Sequence, residues 1–333
     1  MLTWIEAEGS PEQIGYRLGC WGRQACHDHL LSSPAWHTIM RWRESDAIRV
    51  MGTLVDQHFP WIAAELDGLA KGLGLPYEDV LLWNCRGDLW AMAPDGCTTV
   101  LAPGRLTHNE DGDPGFNGRC GIAHVQPTTA PAFVSFVYPG SIPGHTFAVT
   151  DAGLAMTVNN VRAHAVALGL PRMVLTRAIL AQPSMSQACE LLRSLPRAGA
   201  FHLGLGQTGA NETLSIEFAS QGLSIETVTT PRLHANHANH TALHDLPQTI
   251  TASSRQRQLR GDALINAQVP ALSILADQQD NAEPIYRRHA HDTDNENTQA
   301  TADIVFSGPI VTWSIYAHPE QAAHFQLQGL QRV

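Results

Sequence analysis

The hydrophobic period of this chain changes once, near residue 95, and that change limits the folds open to it. Before it, apolar residues recur at helical spacing. In 60–70, Ile62, Leu66, Leu69 and Ala70 share one face, the pattern of an amphipathic helix. Ser10-Pro11-Glu12-Gln13 sets an N-cap, a first-turn proline and a capping-box glutamine in a row. Lys71-Gly72-Leu73-Gly74 is a stop, and Pro76-Tyr77-Glu78-Asp79 opens another helix carrying Val80, Leu81 and Leu82. After Asp95-Gly96-Cys97-Thr98-Thr99-Val100 the runs are short, apolar or alternating, with turn residues between them. They predict strands over 98–102, 132–138, 146–150, 154–158, 202–205, 213–218, 222–227, 302–306 and 310–316. Two helices interrupt them. One, over 171–181, aligns Val174, Leu175, Ala178 and Ile179; the next is capped at Ser184 and carries Ala188, Leu191, Leu192 and Leu195. Strand pairs, two helices and more strands predict an α+β layered fold rather than a doubly wound βαβ sheet.

Composition narrows the function. Of 333 residues, 44% are hydrophobic and 16% charged, enough for a sizeable core and too apolar for a disordered chain. Lys+Arg number 21 against 31 Asp+Glu, a formal charge of −10. That sign argues against a nucleic-acid partner, which requires a basic stripe. No run approaches the roughly 18 apolar residues of a membrane span. The start, Met1 to Glu6, shows no basic and then apolar leader. A cytoplasmic protein with no membrane partner is the expectation. Cys20, Cys26, Cys85, Cys97, Cys120 and Cys189 contain no Cys-x-x-Cys pair, so neither a disulfide scaffold nor a zinc ribbon is expected. No Gly-x-Gly-x-x-Gly follows a strand and no Walker motif occurs, so no cofactor is expected.

Four places can carry chemistry. Gly96-Cys97-Thr98 lies where the texture changes. Cys97 is either a buried residue opening a core strand or the first residue of a new chain released by cutting the Gly96–Cys97 bond. The second reading has a chemical advantage. A thiol of pKa about 8.5 is mostly protonated at neutral pH, whereas a freed α-amino group titrates at about 7.7–8.0. That is close to the optimum for a general base, and it sits within the nucleophile's own residue. Gly96 leaves the carbonyl to be attacked unobstructed. His108-Asn109-Glu110-Asp111 is either a polar hairpin turn or the source of a carboxylate and an amide beside Cys97. Leu233-His234-Ala235-Asn236-His237-Ala238-Asn239-His240, with His244 beyond, admits three readings: a polar surface loop, a zinc site, or an asparagine amide donating to an oxyanion. Gly140-Ser141-Ile142-Pro143-Gly144 lacks the residue between Gly and Ser that a nucleophile elbow needs and reads as a loop. Residues 234–297 are polar and His-rich, with Asp292 to Asn297 read as a solvated loop.

Taken in order, these residues resemble the acyl-coenzyme A:6-aminopenicillanic acid acyltransferase family of N-terminal-nucleophile hydrolases. The likeness starts at Gly9-Ser10-Pro11-Glu12-Gln13-Ile14-Gly15 and Glu65-Leu66-Asp67-Gly68-Leu69-Ala70, similar to the family's helical pro-segment. It continues at Gly96-Cys97-Thr98-Thr99, Asn109-Glu110-Asp111, Val158-Asn159-Asn160, the 171–187 helix pair, Ile216-Glu217-Phe218 and Leu233-His234-Ala235-Asn236-His237. The resemblance implies a four-layer αββα sandwich and a precursor that cuts itself at Gly96–Cys97. The products would be a helical chain of residues 1–96 and a catalytic chain of residues 97–333, held as an α/β heterodimer that forms one structural unit. It implies Cys97 as nucleophile, Asn236 as oxyanion donor and Asp111 as support for the nucleophile. Thr98, Asn109, Asn159 and His234 become the residues facing a small-molecule amide substrate, with no metal. Asn239 rivals Asn236, because His-Ala-Asn-His occurs twice in overlap; Leu233 favours the first copy. Glu110 stands where the family pattern has an aromatic residue, Ala235 where it has threonine, and no arginine lies in 299–303. The last departure counts against a penicillin substrate and leaves amide chemistry intact. The competing readings are a metal-dependent hydrolase built on the 234–244 histidines and a non-catalytic binding protein.

Overall fold

The computed structural model describes residues 2–164, 167–210, 212–288 and 294–333. The chain opens with strand β1 (Thr3–Gly9), followed by helices α1 (Pro11–Asp28), α2 (Pro34–Ile39), α3 (Asp46–His58), α4 (Pro60–Leu73), α5 (Tyr77–Asn84) and α6 (Arg86–Leu89). Strands β2 (Asp95–Ala102), β3 (Arg105–Gly112), β4 (Gly121–Pro127), β5 (Phe133–Val137), β6 (Phe147–Thr150) and β7 (Leu154–Asn160) follow. Then come α7 (Arg172–Ile179), α8 (Met185–Ser194), β8 (Phe201–Gln207), β9 (Thr213–Ala219), β10 (Gly222–Thr227) and β11 (Arg232–His234). The chain ends with α9 (Ala252–Asn266), α10 (Ala271–Leu275), β12 (Asn297–Val305), β13 (Thr312–Tyr316), β14 (Phe325–Gln328) and β15 (Gln331–Arg332).

The strands form two sheets. One has the order β1-β4-β5-β6-β7-β8-β9-β10, the other β11-β2-β3-β12-β13-β14-β15. Pairing is antiparallel except between β1 and β4. β2 and β3 lie against β7, β8 and β9 of the other sheet, while α1 covers β1 and β4, α8 covers β8, and α9 and α10 cover β11 and β3. β5, β7 and β9 are therefore buried along their whole length, as strands covered on both faces must be. The helical layer is locked by close approach. A Cβ on Gly15 would lie 1.9 Å from the Glu65 carbonyl oxygen, and one on Gly68 would lie 2.0 Å from that of Glu12. Glycine at both positions lets α1 and α4 touch backbone to backbone. Among the described residues no helix is long and apolar enough to cross a membrane.

The mixed α+β class holds, and Ser10 caps α1 with the reciprocal bond to Gln13. The part before residue 95 is mostly helical, with one strand ahead of α1: Thr3–Gly9 pairs in parallel with β4. Other expectations do not hold. His108–Asp111 is no turn but the middle of β3. Its polar side chains are buried between the other sheet on one face and α10 on the other, so no apolar alternation marks it. The 233–240 stretch is not a polar surface loop, because His234, Asn236, His237 and His240 are buried. The polar region after it contains α9 and α10, and α9 buries Ser253, Ser254, Arg257 and Gly261, a polar face without hydrophobic periodicity. Of the stretch read as a solvated loop, Asp292 and Thr293 lie outside the described residues, and Glu296 is fully buried.

Candidate active site

β2 and β3 form the floor of the site. Their register sets Gly96 opposite Asp111, Cys97 opposite Glu110 and Thr98 opposite Asn109. Cys97 is 3% exposed. Burial pushes its thiol well above the usual range, and the neighbouring carboxyl groups of Glu110 and Asp111 push the same way. Such a thiol keeps its proton, so it becomes a nucleophile only if something takes that proton away. It donates to Glu110 Oε2 at 3.8 Å. Its backbone N–H donates to Asn236 Oδ1 at 3.0 Å.

Asn236 is delivered by the segment after β11. That segment is tied down by Glu217 on β9, which accepts from His234 Nε2 at 2.9 Å and from the backbone N–H groups of Asn239 at 2.6 Å and His240 at 3.1 Å. Burial alone would raise the Glu217 carboxyl; the His234 hydrogen bond and the surrounding donors outweigh it and hold the group below its ordinary value. Asn236 Nδ2 donates to the Asn160 carbonyl at 3.1 Å, so the amide presents its oxygen to Cys97. Asn239 instead donates to Gln258 Oε1 at 3.0 Å on the exposed side. The structure thus sets Asn236, not Asn239, against Cys97.

Arg257 of α9 completes the grip. Its guanidinium donates to the Cys97 carbonyl at 2.6 Å, Thr98 Oγ1 at 2.8 Å and Asn236 Oδ1 at 2.7 Å. Asp111 accepts from Thr298 Oγ1 at 2.6 Å, with Arg287 Nη1 3.8 Å from its other oxygen. Asn109 bonds the Leu275 carbonyl at 2.8 Å and Thr301 Oγ1 at 2.6 Å. Asn159 accepts from Thr99 Oγ1 at 2.6 Å and from His202 Nδ1 at 3.1 Å, and donates to the His234 carbonyl at 3.1 Å. His234 stacks on His202 with ring centroids 3.6 Å apart. Thr98, Asn109, Asn159 and His234 thus all face protein partners.

The residues before Cys97 are held as firmly. Asp95 meets Arg86 Nη2 at 2.6 Å and Arg172 Nη2 at 3.3 Å, and its carbonyl accepts from Asn160 Nδ2 at 2.8 Å. Burial works against its charge, but the two guanidinium groups outweigh it and hold the carboxyl below its ordinary value. A Cβ on Gly96 would lie 2.0 Å from Glu296 Oε2, a carboxylate pinned by Arg287 at 2.6 Å and Arg162 at 3.0 Å. Only glycine fits there. Arg162 also donates to the Ala93 carbonyl at 3.0 Å. Trp90, Met92 and Pro94 wall a cavity of about 490 Å³ together with His29, Arg162 and Asp294. Sequence reasoning missed Arg257, Arg172, Arg162, Arg287 and Glu296. No local pattern marks a charged side chain that is buried by distant partners.

The 234–244 histidines do not gather around a common point. Among the described residues the group whose donor atoms all lie within 4.8 Å of one another is Cys97, His108 and Glu110, and hydrogen bonds within the group account for that closeness.

A family model described as acyl-coenzyme A:6-aminopenicillanic acid acyl-transferase matches residues 100–319, about two thirds of the chain. The chain belongs to this acyltransferase family. The matched span begins three residues after Cys97. A relative from Drosophila melanogaster, beta-alanyl-dopamine/carcinine hydrolase, is 24% identical over 219 residues, covering 57% of this chain and 56% of its own. The chain therefore spans just over half the length of that curated relative.

Proposed function

We propose that this member of the acyltransferase family is an amide-directed hydrolase or acyltransferase that cuts itself between Gly96 and Cys97. The observation that carries the reading is the treatment of the Cys97 nitrogen. It is buried, yet it is held by an asparagine oxygen at 3.0 Å that an arginine fixes at 2.7 Å. A core cysteine in a strand needs no such apparatus. Once the bond is cut, the same nitrogen becomes an α-amine whose pKa suits a general base. It can take the thiol proton and later return it to a departing amine. Cys97 Sγ would attack an amide or thioester carbonyl, form a thioester acyl-enzyme and pass the acyl group to water or to an amine. Asn236 and Arg257 keep the amine in place. For Asn236 to donate to an oxyanion as well, its Nδ2 must leave the Asn160 carbonyl, a rearrangement that departure of the 90–96 segment permits.

Cys97 does not itself line the 490 Å³ cavity; cutting frees the segment that walls it, and departure of that segment would open the way toward Cys97. The fold that suits this chemistry is a four-layer αββα sandwich: the two facing sheets with α1, α4, α7 and α8 on one side and α9 and α10 on the other. Family membership and the hydrolase relative support small amide substrates.

Intact mass spectrometry is the test. Two chains of about 10 and 26 kDa, in proportion to 96 and 237 residues, are expected from wild-type protein and one chain from Cys97→Ala. A protein that stays whole and still hydrolyses amides would overturn the mechanism.

A further inference from the structure

In the intact chain Cys97 has no free amine. Its nitrogen belongs to the very bond that must break, and its thiol is buried and protonated. Some other group must take that proton for the first cut. The hydrogen-bond directions identify it.

Asn159 Nδ2 donates to the His234 carbonyl at 3.1 Å, so Asn159 Oδ1 is an acceptor. Thr99 must then donate its hydroxyl proton to Asn159 Oδ1 at 2.6 Å. The Thr99 oxygen, 2.8 Å from His108 Nδ1, consequently accepts from that ring nitrogen. His108 is fully buried and burial pushes it down to about 3, so the ring is neutral. With its proton on Nδ1, it turns a bare lone pair on Nε2 toward Glu110 Oε2 at 3.2 Å. A hydrogen bond there requires a proton on Glu110. That agrees with burial, which pushes the Glu110 carboxyl well above its ordinary value. Glu110 Oε2 keeps a second lone pair for the thiol at 3.8 Å.

We propose that Glu110 and His108 form the proton relay that arms Cys97 for self-cleavage, before the α-amine exists to do so. This rests on the self-cutting reading above and adds the group that makes the first cut possible. The thiol proton passes to Glu110 Oε2 as the Glu110 proton passes to His108 Nε2. The products are a thiolate and a doubly protonated imidazole. Sγ uses its electron pair to bond the Gly96 carbonyl carbon, and the carbonyl π pair moves onto the oxygen. As that oxygen pair returns, the Gly96–Cys97 C–N bond breaks. The nitrogen takes the proton back through Glu110 while His108 returns its own. Water then cleaves the thioester: its hydroxyl goes to Gly96 and its proton to sulfur. One peptide bond and one water become one carboxyl and one amine.

Thr99 and Asn159 act as positioning residues, because they fix the His108 tautomer. The charge that appears on a buried imidazole makes the step slow. A cut that happens once per molecule tolerates slowness in a way that turnover does not.

The experiment follows the full-length chain by intact mass from the moment of purification, with hydroxylamine added to parallel samples to intercept any thioester. Glu110→Gln keeps size and hydrogen bonding but cannot relay a proton. Its appearance of the 96- and 237-residue chains should slow by about 100-fold or more, the usual worth of a general base. Hydroxylamine should release no N-terminal fragment from it. His108→Gln, with Glu110 intact, should behave in the same way and decides the matter if Glu110→Gln loses its native circular dichroism spectrum. Cutting of either folded variant at the wild-type rate overturns the relay while leaving self-cleavage standing. So does rapid release by hydroxylamine from folded Glu110→Gln, because Sγ would then have attacked without it. A wild-type chain that is never cut overturns the self-cleavage reading itself.

Discussion

What separates Cys97, the proposed nucleophile, from a core side chain is its neighbours. Five of the six cysteines are buried, and burial by itself pushes the thiols of Cys26, Cys85 and Cys120 upward just as it does that of Cys97. Cys97 differs in having a carboxyl group against its sulfur and an asparagine oxygen on its nitrogen. Glu110, where the family pattern read from the sequence has an aromatic residue, supplies the first of these. Gly96 is the second decisive residue. Gly96→Ala would drive a methyl group into the clamped Glu296 carboxylate, an overpacking that costs about 1–3 kcal/mol. The expected outcome is a lower thermal midpoint together with slower conversion to two chains, read by a melt and by intact mass. A variant cut at the wild-type rate with an unchanged midpoint would show that the Glu296 contact yields.

Among the elements, α9 carries the largest unforeseen share. Its buried face is serine, arginine and glycine rather than leucine, because its task is to hold Arg257 on the Cys97 carbonyl, Thr98 and Asn236. Arg257→Met removes a charge and leaves those three acceptors without it, at about 1–3 kcal/mol for a buried polar group left unsatisfied. We expect Arg257→Met to lower the melting midpoint and to slow chain cutting, with the Thr251-capped helix itself preserved. A helix content that falls with the midpoint would mean that the arginine holds the helix and not the site. β3 teaches the same lesson. Its residues were legible as chemistry, but their strand was not, because a strand buried on both faces by polar partners has no apolar alternation to show.

For the molecule as a whole, buried histidines set the response to acid. His108 and His145 are pushed down to about 3 and His237 to about 4, with burial the first cause in each case. His202 and His240 are also lowered, again by burial first. The unfolded chain charges these five near their ordinary value of 6.5, while the fold keeps them neutral. Asp88, raised to about 6 by burial, and the likewise raised Glu110, Glu296 and Asp262 act the other way, because the fold retains protons that the unfolded chain has lost. Five outnumber four, so unfolding takes up protons between pH 6.5 and 5. Stability therefore falls as pH falls through that window. A thermal midpoint lower at pH 5 than at pH 7 is expected; one that is flat or higher at pH 5 would show that the buried carboxyl groups dominate. The proposed self-cleavage adds a further prediction at this scale. The two chains should stay together under native conditions, because β1 of the first pairs with β4 of the second along seven residues. Size exclusion that separated them would argue against one structural unit.

The sequence by itself determined the α+β class, the capped first helix, most strands after residue 95 and the candidate nucleophile, because each is written in local period, capping chemistry or one short motif. It named Asn236 and Asp111 by resemblance. Only the tertiary structure decided which groups meet. Thr99, His108, Glu110 and Asn159 come from two sheets, and Arg257, Arg162 and Glu296 reach the 93–98 segment from 69 (Arg162 to Ala93) to 200 (Glu296 to Gly96) positions away in the chain. Charges buried by such distant partners leave no periodic trace. Their cost in isolation and their stability in company arise only when the chain closes around them.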